Sequence, residues 1–152
     1  FAGKPDERTM SRLKELYAQA KRPDDALSPV SGSSLVAIAR QCGPDEVREV
    51  LDRIAEFADI RSDPERDDWE SDDIFAALDN LTTILCAVPD GTLPAVLEGL
   101  ESDCDEVRYR VARALGDRRD KLAATALEQA LGTERLDHVR RALSAALASS
   151  KS

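Results

Sequence analysis

The side chains that most often do chemistry are few and scattered in this chain. Its 152 residues include one histidine, His138, and three cysteines, Cys42, Cys86 and Cys104. The sequence has no C-x-x-C spacing, no Gly-rich phosphate loop and no histidine cluster, so it offers no pattern for a metal, dinucleotide or phosphate site. A cysteine nucleophile needs an imidazole within hydrogen-bond reach and a third group to orient it, and no spacing here supplies them. We therefore predict a protein that is not an enzyme and that uses no metal and no cofactor.

The cysteines and the apolar runs indicate the compartment. Each cysteine lies near the end of an apolar helical pattern, and an odd number fits buried, reduced thiols better than a set of disulfides. No run approaches the ~20 consecutive apolar residues of a membrane-spanning helix. Residues 1–20 lack the apolar core of a signal peptide. We therefore expect a cytoplasmic protein with no membrane association.

Acidic residues are concentrated in the middle of the chain. The sequence carries 30 acidic and 21 basic residues, a formal net charge of −9. Residues 44–102 hold 17 acidic and 4 basic residues and so have a net charge of −13, whereas residues 1–43 and 103–152 each have +2. A surface of negative sign repels phosphate backbones and attracts basic proteins. We expect a basic protein partner and no binding of nucleic acid.

The densest acidic run lies between residues 61 and 73, and its lack of apolar periodicity predicts a loop. Two interpretations stay open, a solvated connection or a docking segment for a basic partner. Trp69, the only tryptophan, favours docking, because tryptophan surrounded by carboxylates suits a surface of Lys and Arg. A Ca²⁺ site is disfavoured, because the run lacks the D-x-D-x-D-G spacing. The candidate partner-binding residues of this run are Asp67, Asp68, Trp69, Glu70, Asp72 and Asp73.

The rest of the chain predicts helices. Strand-like alternation is nearly absent, whereas apolar residues recur at i, i+3, i+4 and i+7 from end to end, which indicates an all-α fold in a single domain over residues 1–152. We predict an N-terminal capping helix over residues 1–22, then helices at 35–42, 45–58 and 74–88. Residues 91–150 form two hairpins, in which four apolar patterns begin at Leu93, Val107, Leu122 and Leu136.

These helices repeat. A shift of 32 residues superposes residues 137–147 on 105–115 with six matches in eleven positions, five of them identical and one, Leu143 on Val111, conservative. A third copy of the same phrase begins at Asp45 and continues Glu-Val-Arg. Repeats of this length are helical hairpins that must stack on their neighbours to bury their apolar faces.

The segment from Leu97 to Gly116 resembles the HEAT repeat, in its short bacterial variant typified by phycobilin-lyase repeats. The resemblance implies a right-handed α-α superhelix, a short solenoid of three to four hairpins. It also implies that the second helix of each hairpin lines a groove that binds partners. This would assign the groove to residues 45–58, 74–88, 105–116 and 135–149, with the 61–73 run replacing a first helix.

Arg108 and Arg140 occupy matching positions in the two best repeats and are also candidate partner-binding residues. They have two interpretations. They pair with carboxylates such as Asp105 and Asp137 between stacked repeats, or they form a small site for an anion or an acidic peptide. In the HEAT family an Asp six residues before this Arg forms a ladder between repeats. The chain has Ser102 at that place before Arg108.

We therefore expect a non-enzymatic interaction module, an acidic adaptor or inhibitor that binds a basic protein, for example an immunity-type protein that masks a basic toxin. It would be a monomer or a weak oligomer. The alternative, suggested by the repeat variant alone, is a lyase-like or chaperone-like subunit that assists chromophore attachment or the assembly of a partner. That alternative requires a reactive, exposed cysteine.

Overall fold

The computed structural model describes residues 32–62 and 71–151, and every regular element in these ranges is helical. The α-helices are α1 Gly32–Arg40, α2 Pro44–Ser62, α3 Ser71–Ala87, α4 Leu93–Glu98, α5 Asp105–Arg118, α6 Ala124–Thr133 and α7 Asp137–Lys151. Short 3-10 turns lie at Asp90–Thr92, Gly99–Glu101 and Lys121–Ala123. The predicted all-α class is confirmed.

Local sequence explains where the helices begin and end. Helix α2 begins at Pro44, whose missing N–H costs nothing at a first helical position, and two acids follow in its first turn. Helix α5 also begins with two acids, at the positive end of the helix dipole. It ends at Arg118, because the next residue, Arg119, has left-handed backbone angles of φ 52° and ψ 44° that stop the helix.

The helices stack in two layers. Helices α1, α3, α5 and α7 pack side by side in one layer, while α2 and α4, followed by α6, form the other. Helices α2 and α3 form one hairpin and α6 and α7 another, and between them the turn after α4 packs against α5. Gly99 permits this close packing, since a Cβ there would lie 2.5 Å from Val111 Cγ2. The predicted solenoid-like architecture is confirmed, and its handedness stays a prediction.

The placement of residues 45–58 in a second helix is wrong. Helix α2 packs against α4 and α3, so it is the first helix of its hairpin and α3 is the second. For the same reason, the run from 61 to 73 does not replace a first helix. The error arose because two acids followed by Val and Arg are typical of a helix N-terminus in either layer.

The predicted loop over residues 61–73 is wrong at both ends. Helix α2 continues to Ser62 and α3 begins at Ser71, so Asp72 and Asp73 lie in the first turn of α3. Charged residues are compatible with helix ends, and acids favour a first turn, so charge density alone did not mark the boundary. Asp67, Asp68, Trp69 and Glu70 lie outside the described residues, as does the helix predicted over residues 1–22. These assignments stay predictions.

The interior follows the predicted repeat. In α5, Val107, Val111, Ala114 and Leu115 are buried, and so are their counterparts Val139, Leu143 and Ala146 in α7. Two of the predicted apolar residues are instead exposed: Leu122 by 80% and Leu136 by 41%. Both lie in the turns before α6 and α7 rather than within a helix, so helical periodicity did not apply to them.

A membrane-spanning helix or a metal site among the described residues would also bear on function. No single described helix is long and apolar enough to cross a membrane; Ala77–Ala87 and Asp90–Glu101 reach that length and composition only as a pair bent by 108°. Within residues 32–62 and 71–151, no group of three or more His, Cys, Asp or Glu side chains could hold a metal ion. The charged surfaces are therefore the candidates for a functional site.

Candidate functional site

One exposed side of α2 is acidic. Asp45, Asp52, Glu56 and Asp59 are all exposed and follow one another at helical spacing, while the opposite side of α2 is buried in the core. We call these four residues the acidic face. Partial burial raises the pKa of Asp52. The face presents a row of carboxylates along the helix.

Arg48 lies within this row, but its charge is compensated inside the molecule. Its Nε and Nη2 atoms donate to the two carboxylate oxygens of Glu98, in α4, at 3.0 and 3.2 Å, and Nη1 donates to Asp45 at 3.3 Å. The hydrogen bond from Arg48 lowers the pKa of Glu98. Because Arg48 is held by two acids, the surface formed by α2 and α4 keeps its negative sign.

Arg108, a predicted partner-binding residue, joins two hairpins. Its Nε donates to Glu134 Oε1 at 2.8 Å, and its Nη1 donates to the backbone oxygen of Ser102 at 2.7 Å. The Glu134 side chain is only 6% exposed and that of Arg108 21%. Both line an open cleft of about 450 Å³ between the turns of consecutive hairpins. The geometry therefore supports the ion pair between repeats.

Arg140 repeats part of this arrangement. Its Nη1 donates to the backbone oxygens of Leu131 and Glu134 at 3.2 and 2.8 Å. In both repeats the arginine binds the carbonyl of the residue six positions earlier, Ser102 for Arg108 and Glu134 for Arg140. Partner binding by either arginine stays a prediction, since both already hold their own hairpin turns.

Sequence reasoning missed Glu134. It lies six residues before Arg140, at the place where the HEAT resemblance expects the ladder Asp, and its side chain bonds the arginine of the preceding hairpin. The ladder therefore has one rung here, made by Glu instead of Asp. The signal was the spacing, which could have been found by looking six residues before Arg140 as well as before Arg108.

A second surface lies between α5 and α7. An open groove of about 580 Å³ runs between these neighbouring helices. Its floor is made of small residues, among them Ala112, Gly116, Ala142 and Ala146. The helices approach closely here, since a Cβ on Gly116 would lie 3.3 Å from Ala146 Cα. We call this the basic groove, because its rims carry Arg113, Arg119 and Arg141.

The arginines of α5 differ in their surroundings. Arg110 is buried and bonds Glu106 at 3.0 Å and Asp79, in α3, at 2.6 Å, so it links neighbouring helices. Arg113 is exposed and lies against the ring of Tyr109, 5.8 Å from its centroid. It also donates to the Tyr109 hydroxyl at 3.4 Å, which raises the pKa of Arg113.

Other polar groups complete the groove. Asp117 is an acid in its lining, and its carboxylate accepts a hydrogen bond from the Cys86 thiol at 3.8 Å. His138 lies at 3.6 Å from Asp105, with its ring centroid 5.6 Å from that of Tyr109. The predicted surface position of His138 agrees with its half-exposed side chain.

Arg118 has a structural task that the sequence did not reveal. Its Nη1 donates to the backbone oxygens of Leu85, Cys86 and Val88 at 3.3, 3.2 and 2.7 Å, and its Nη2 to Asp90 at 3.1 Å. These carbonyls lie at and just beyond the end of α3, where no helical N–H follows to bond them. Arg118 thus caps α3 from α5 and fixes one hairpin to the next.

The cysteines depart from the predicted burial. Cys42 is buried, but Cys86 and Cys104 are half-buried, and all three are free thiols. The prediction of three buried thiols is therefore wrong for two of them, since both lie at the margins of the packed layers. Burial, together with the nearby Asp117 carboxylate, raises the pKa of Cys86 to about 11. Cys86 is thus a protonated, weak nucleophile at neutral pH.

Comparison with known proteins gives one result. The family model described as HEAT repeats matches residues 72–148, half of the chain. The match covers α3 to α7 almost completely, which includes the basic groove and the rung between Arg108 and Glu134. No curated protein and no solved structure gives a significant match.

Proposed function

The chain belongs to the HEAT-repeat family, and from that premise we propose that it is an acidic interaction module that binds a basic protein partner through its acidic face. HEAT repeats commonly mediate protein interactions, and the family is generally a non-catalytic scaffold. A module that works by surface needs no catalytic group, in keeping with the sparse cysteines and histidine. The partner's basic character is the part of the proposal that rests on the charges of this chain.

The observation that carries the proposal is the row of exposed carboxylates on α2. Asp45, Asp52, Glu56 and Asp59 are exposed on a helix whose other side is fixed in the core, so they form a preorganised surface. Asp45 pairs with Arg48 and Glu56 with Arg53, so Asp52 and Asp59 contribute most of its negative charge. A field of one sign steers a partner of the opposite sign and raises its association rate. The compensated Arg48 does not cancel this field.

An adaptor or inhibitor is the kind of function that suits such a surface. A small acidic module can mask a basic surface on another protein, as an immunity-type protein masks a toxin, because steering makes capture fast. Asp67, Asp68, Trp69 and Glu70 would extend the same surface between α2 and α3. Asp72 and Asp73, at the start of α3, would add to it.

The test compares two double variants of equal charge. Asp52→Asn with Asp59→Asn removes two carboxylates from the acidic face. Asp103→Asn with Asp137→Asn removes two exposed carboxylates elsewhere. Association with a labelled Lys- and Arg-rich peptide is followed by stopped flow over a range of salt concentrations. The first variant should slow association about tenfold at low salt and flatten its salt dependence.

The control decides whether the face or the overall charge matters. If the control variant slows association as much as the first, net charge alone attracts the peptide and the acidic face is not a site. Pull-down from the native source then uses the same pair. A genuine partner is basic, is retained by wild type and control, and is lost by the acidic-face variant.

The lyase-like alternative depends on a reactive thiol. Cys42 is buried, and the high pKa of Cys86 leaves it protonated at neutral pH, so Cys104 is its remaining candidate. Thiol titration of the native chain tests it. Slow reaction of all three thiols would remove the alternative, whereas fast reaction of Cys104 alone would keep it.

A further inference from the structure

We propose that the basic groove between α5 and α7 binds an acidic linear peptide. This inference does not rest on the proposed function, because the groove and the acidic face lie on different helices. It starts from the sign of the groove, which is opposite to that of the chain as a whole.

The arginines of the groove are available to a ligand. Among the described residues, the side chains of Arg119 and Arg141 have no hydrogen-bond or ion-pair partner. Arg113 hydrogen-bonds only the neutral Tyr109 hydroxyl, although the carboxylates of Asp117 and Asp79 also attract its charge. All three are exposed. This contrasts with Arg108, Arg110 and Arg118, each of which is held by carboxylates or carbonyls of its own chain.

The positions of the arginines favour carboxylates in a row. Arg113 lies on α5, Arg141 on α7 and Arg119 at the end of α5, so the positive groups flank the groove on more than one side. Guanidinium groups bind carboxylates with two parallel hydrogen bonds. Asp117, also in the lining, sets a local requirement that the ligand avoid a carboxylate at that point.

The floor of the groove selects the shape of the ligand. It is lined by Ala112, Gly116, Ala142, Ala145 and Ala146, which leave a shallow apolar channel rather than a closed pocket. Its volume of about 580 Å³ lies within the range of ligand sites, about 300–1,000 Å³. An extended peptide places alternate side chains on opposite sides, so it can present carboxylates to the rims and small apolar groups to the floor.

Other polyanions fit less well. A nucleic acid would carry phosphates beyond the groove and towards the acidic regions of the chain, which repel them. A second copy of this chain would need a flexible acidic segment to enter the groove, whereas the carboxylates of the acidic face are fixed on a packed helix. A short acidic peptide meets the arginines without either difficulty.

The test is peptide binding by the full chain, measured by fluorescence polarisation. The probe is a short labelled peptide of alternating Asp and Ala, and its counterpart of Asn and Ala is the neutral control. We expect Arg113→Gln with Arg141→Gln to weaken binding of the acidic peptide about tenfold or more, as two charge-assisted contacts are lost. Arg40→Gln with Lys121→Gln removes the same charge from exposed positions outside the groove and should change it less than about twofold.

Four results would overturn the proposal. The first is failure of the wild-type chain to bind the acidic peptide more tightly than the neutral one. The second is an equal loss of peptide affinity in the two double variants. The third is equally tight binding of duplex DNA that the groove variant abolishes. The fourth is a concentration-dependent dimer that the groove variant abolishes, which would make a second copy the occupant. Asp52→Asn with Asp59→Asn should not weaken binding of the acidic peptide. Failure of the groove proposal can therefore be distinguished from failure of the proposed function.

Discussion

The hairpin of α2 and α3 and the two hairpins that follow it are stacked in the same two layers, yet they differ in the charged surfaces that they expose. The first carries the acidic face, whereas the last two carry the basic groove. Their interiors are alike, since buried Leu, Val, Ile and Ala form one continuous core. Stacking therefore constrains the inward positions and leaves the outward ones free, so charge can change from one hairpin to the next without changing the fold.

The two regions also differ in how their hairpins are joined. Arg48 and Glu98 meet at the surface, where their side chains are 49% and 52% exposed. Arg108 and Glu134 meet in a much drier place. Water screens the first pair more strongly than the second, so the same two residue types should contribute different amounts of stability.

The largest expected effect comes from the shared interior. Leu115 is fully buried in α5. Leu115→Ala should lower the free energy of unfolding by about 2–5 kcal/mol, because it leaves a cavity. The matched control is Leu122→Ala, at an exposed position, which should change stability by less than about 0.5 kcal/mol. Urea unfolding measures both. Equal effects would mean that Leu115 is not a packed position of the shared core.

The next effect tests the dry rung. Glu134→Ala leaves the Arg108 guanidinium without its carboxylate and should destabilise the chain by about 1.5–3 kcal/mol. Adding Arg108→Met to Glu134→Ala should recover part of that loss, since the variant no longer holds a partly buried guanidinium without its carboxylate. Denaturant midpoints of the single and double variants decide. A loss below about 0.5 kcal/mol would show that this rung resembles the exposed one.

A smaller effect should be confined to the groove. In Gly116→Val the added methyl groups meet Ala146 and push α7 away from α5, at a cost of about 1–3 kcal/mol. Gly116→Val should also weaken binding of the acidic peptide while leaving binding of the Lys- and Arg-rich peptide unchanged. Gly132→Ala is the control, because a Cβ at this position meets nothing within 4 Å. This substitution should stabilise α6 by up to about 1 kcal/mol. Calorimetry and the two binding assays report these changes.

The smallest effect concerns the exposed rung and its dependence on pH. Arg48 lowers the pKa of Glu98 in the folded chain, so this carboxylate contributes stability above its unfolded pKa, about 4.3, and loses it as the pH falls through the folded value. The wild type should therefore be slightly more stable than Glu98→Gln at neutral pH. The difference should vanish in acid. A difference in urea midpoint that grows on acidification would contradict the assignment.

The sequence predicted the parts of the fold that periodicity controls. The 32-residue shift correctly paired Val107 with Val139 and Val111 with Leu143, because equivalent helices in a stack bury equivalent positions. It misplaced α2, because the phrase beginning at Asp45 marks a helix start in either layer. Layer identity depends on which helices pack together, and those contacts lie far apart in the chain.

The site was harder to predict for a geometric reason. Neighbouring helical residues point about 100° apart, so choosing Arg140 rather than Arg141 selects a different side of α7. Arg140 holds the turn before its helix, whereas Arg141 lines the groove. The spacing before Arg140 could have marked Glu134 as a ladder residue, but the partners of Glu134 and Arg118 lie 26 residues or more away and are identified only in the packed structure.

Arg119 links conformation to charge in a way that a different residue would not. Left-handed backbone angles suit glycine and cost other residues about 1–2 kcal/mol. A glycine at position 119 would relieve the backbone strain at the end of α5. The same substitution would remove a positive charge from the rim of the basic groove. Relief of backbone strain and capture of an acidic ligand therefore favour different residues at this position.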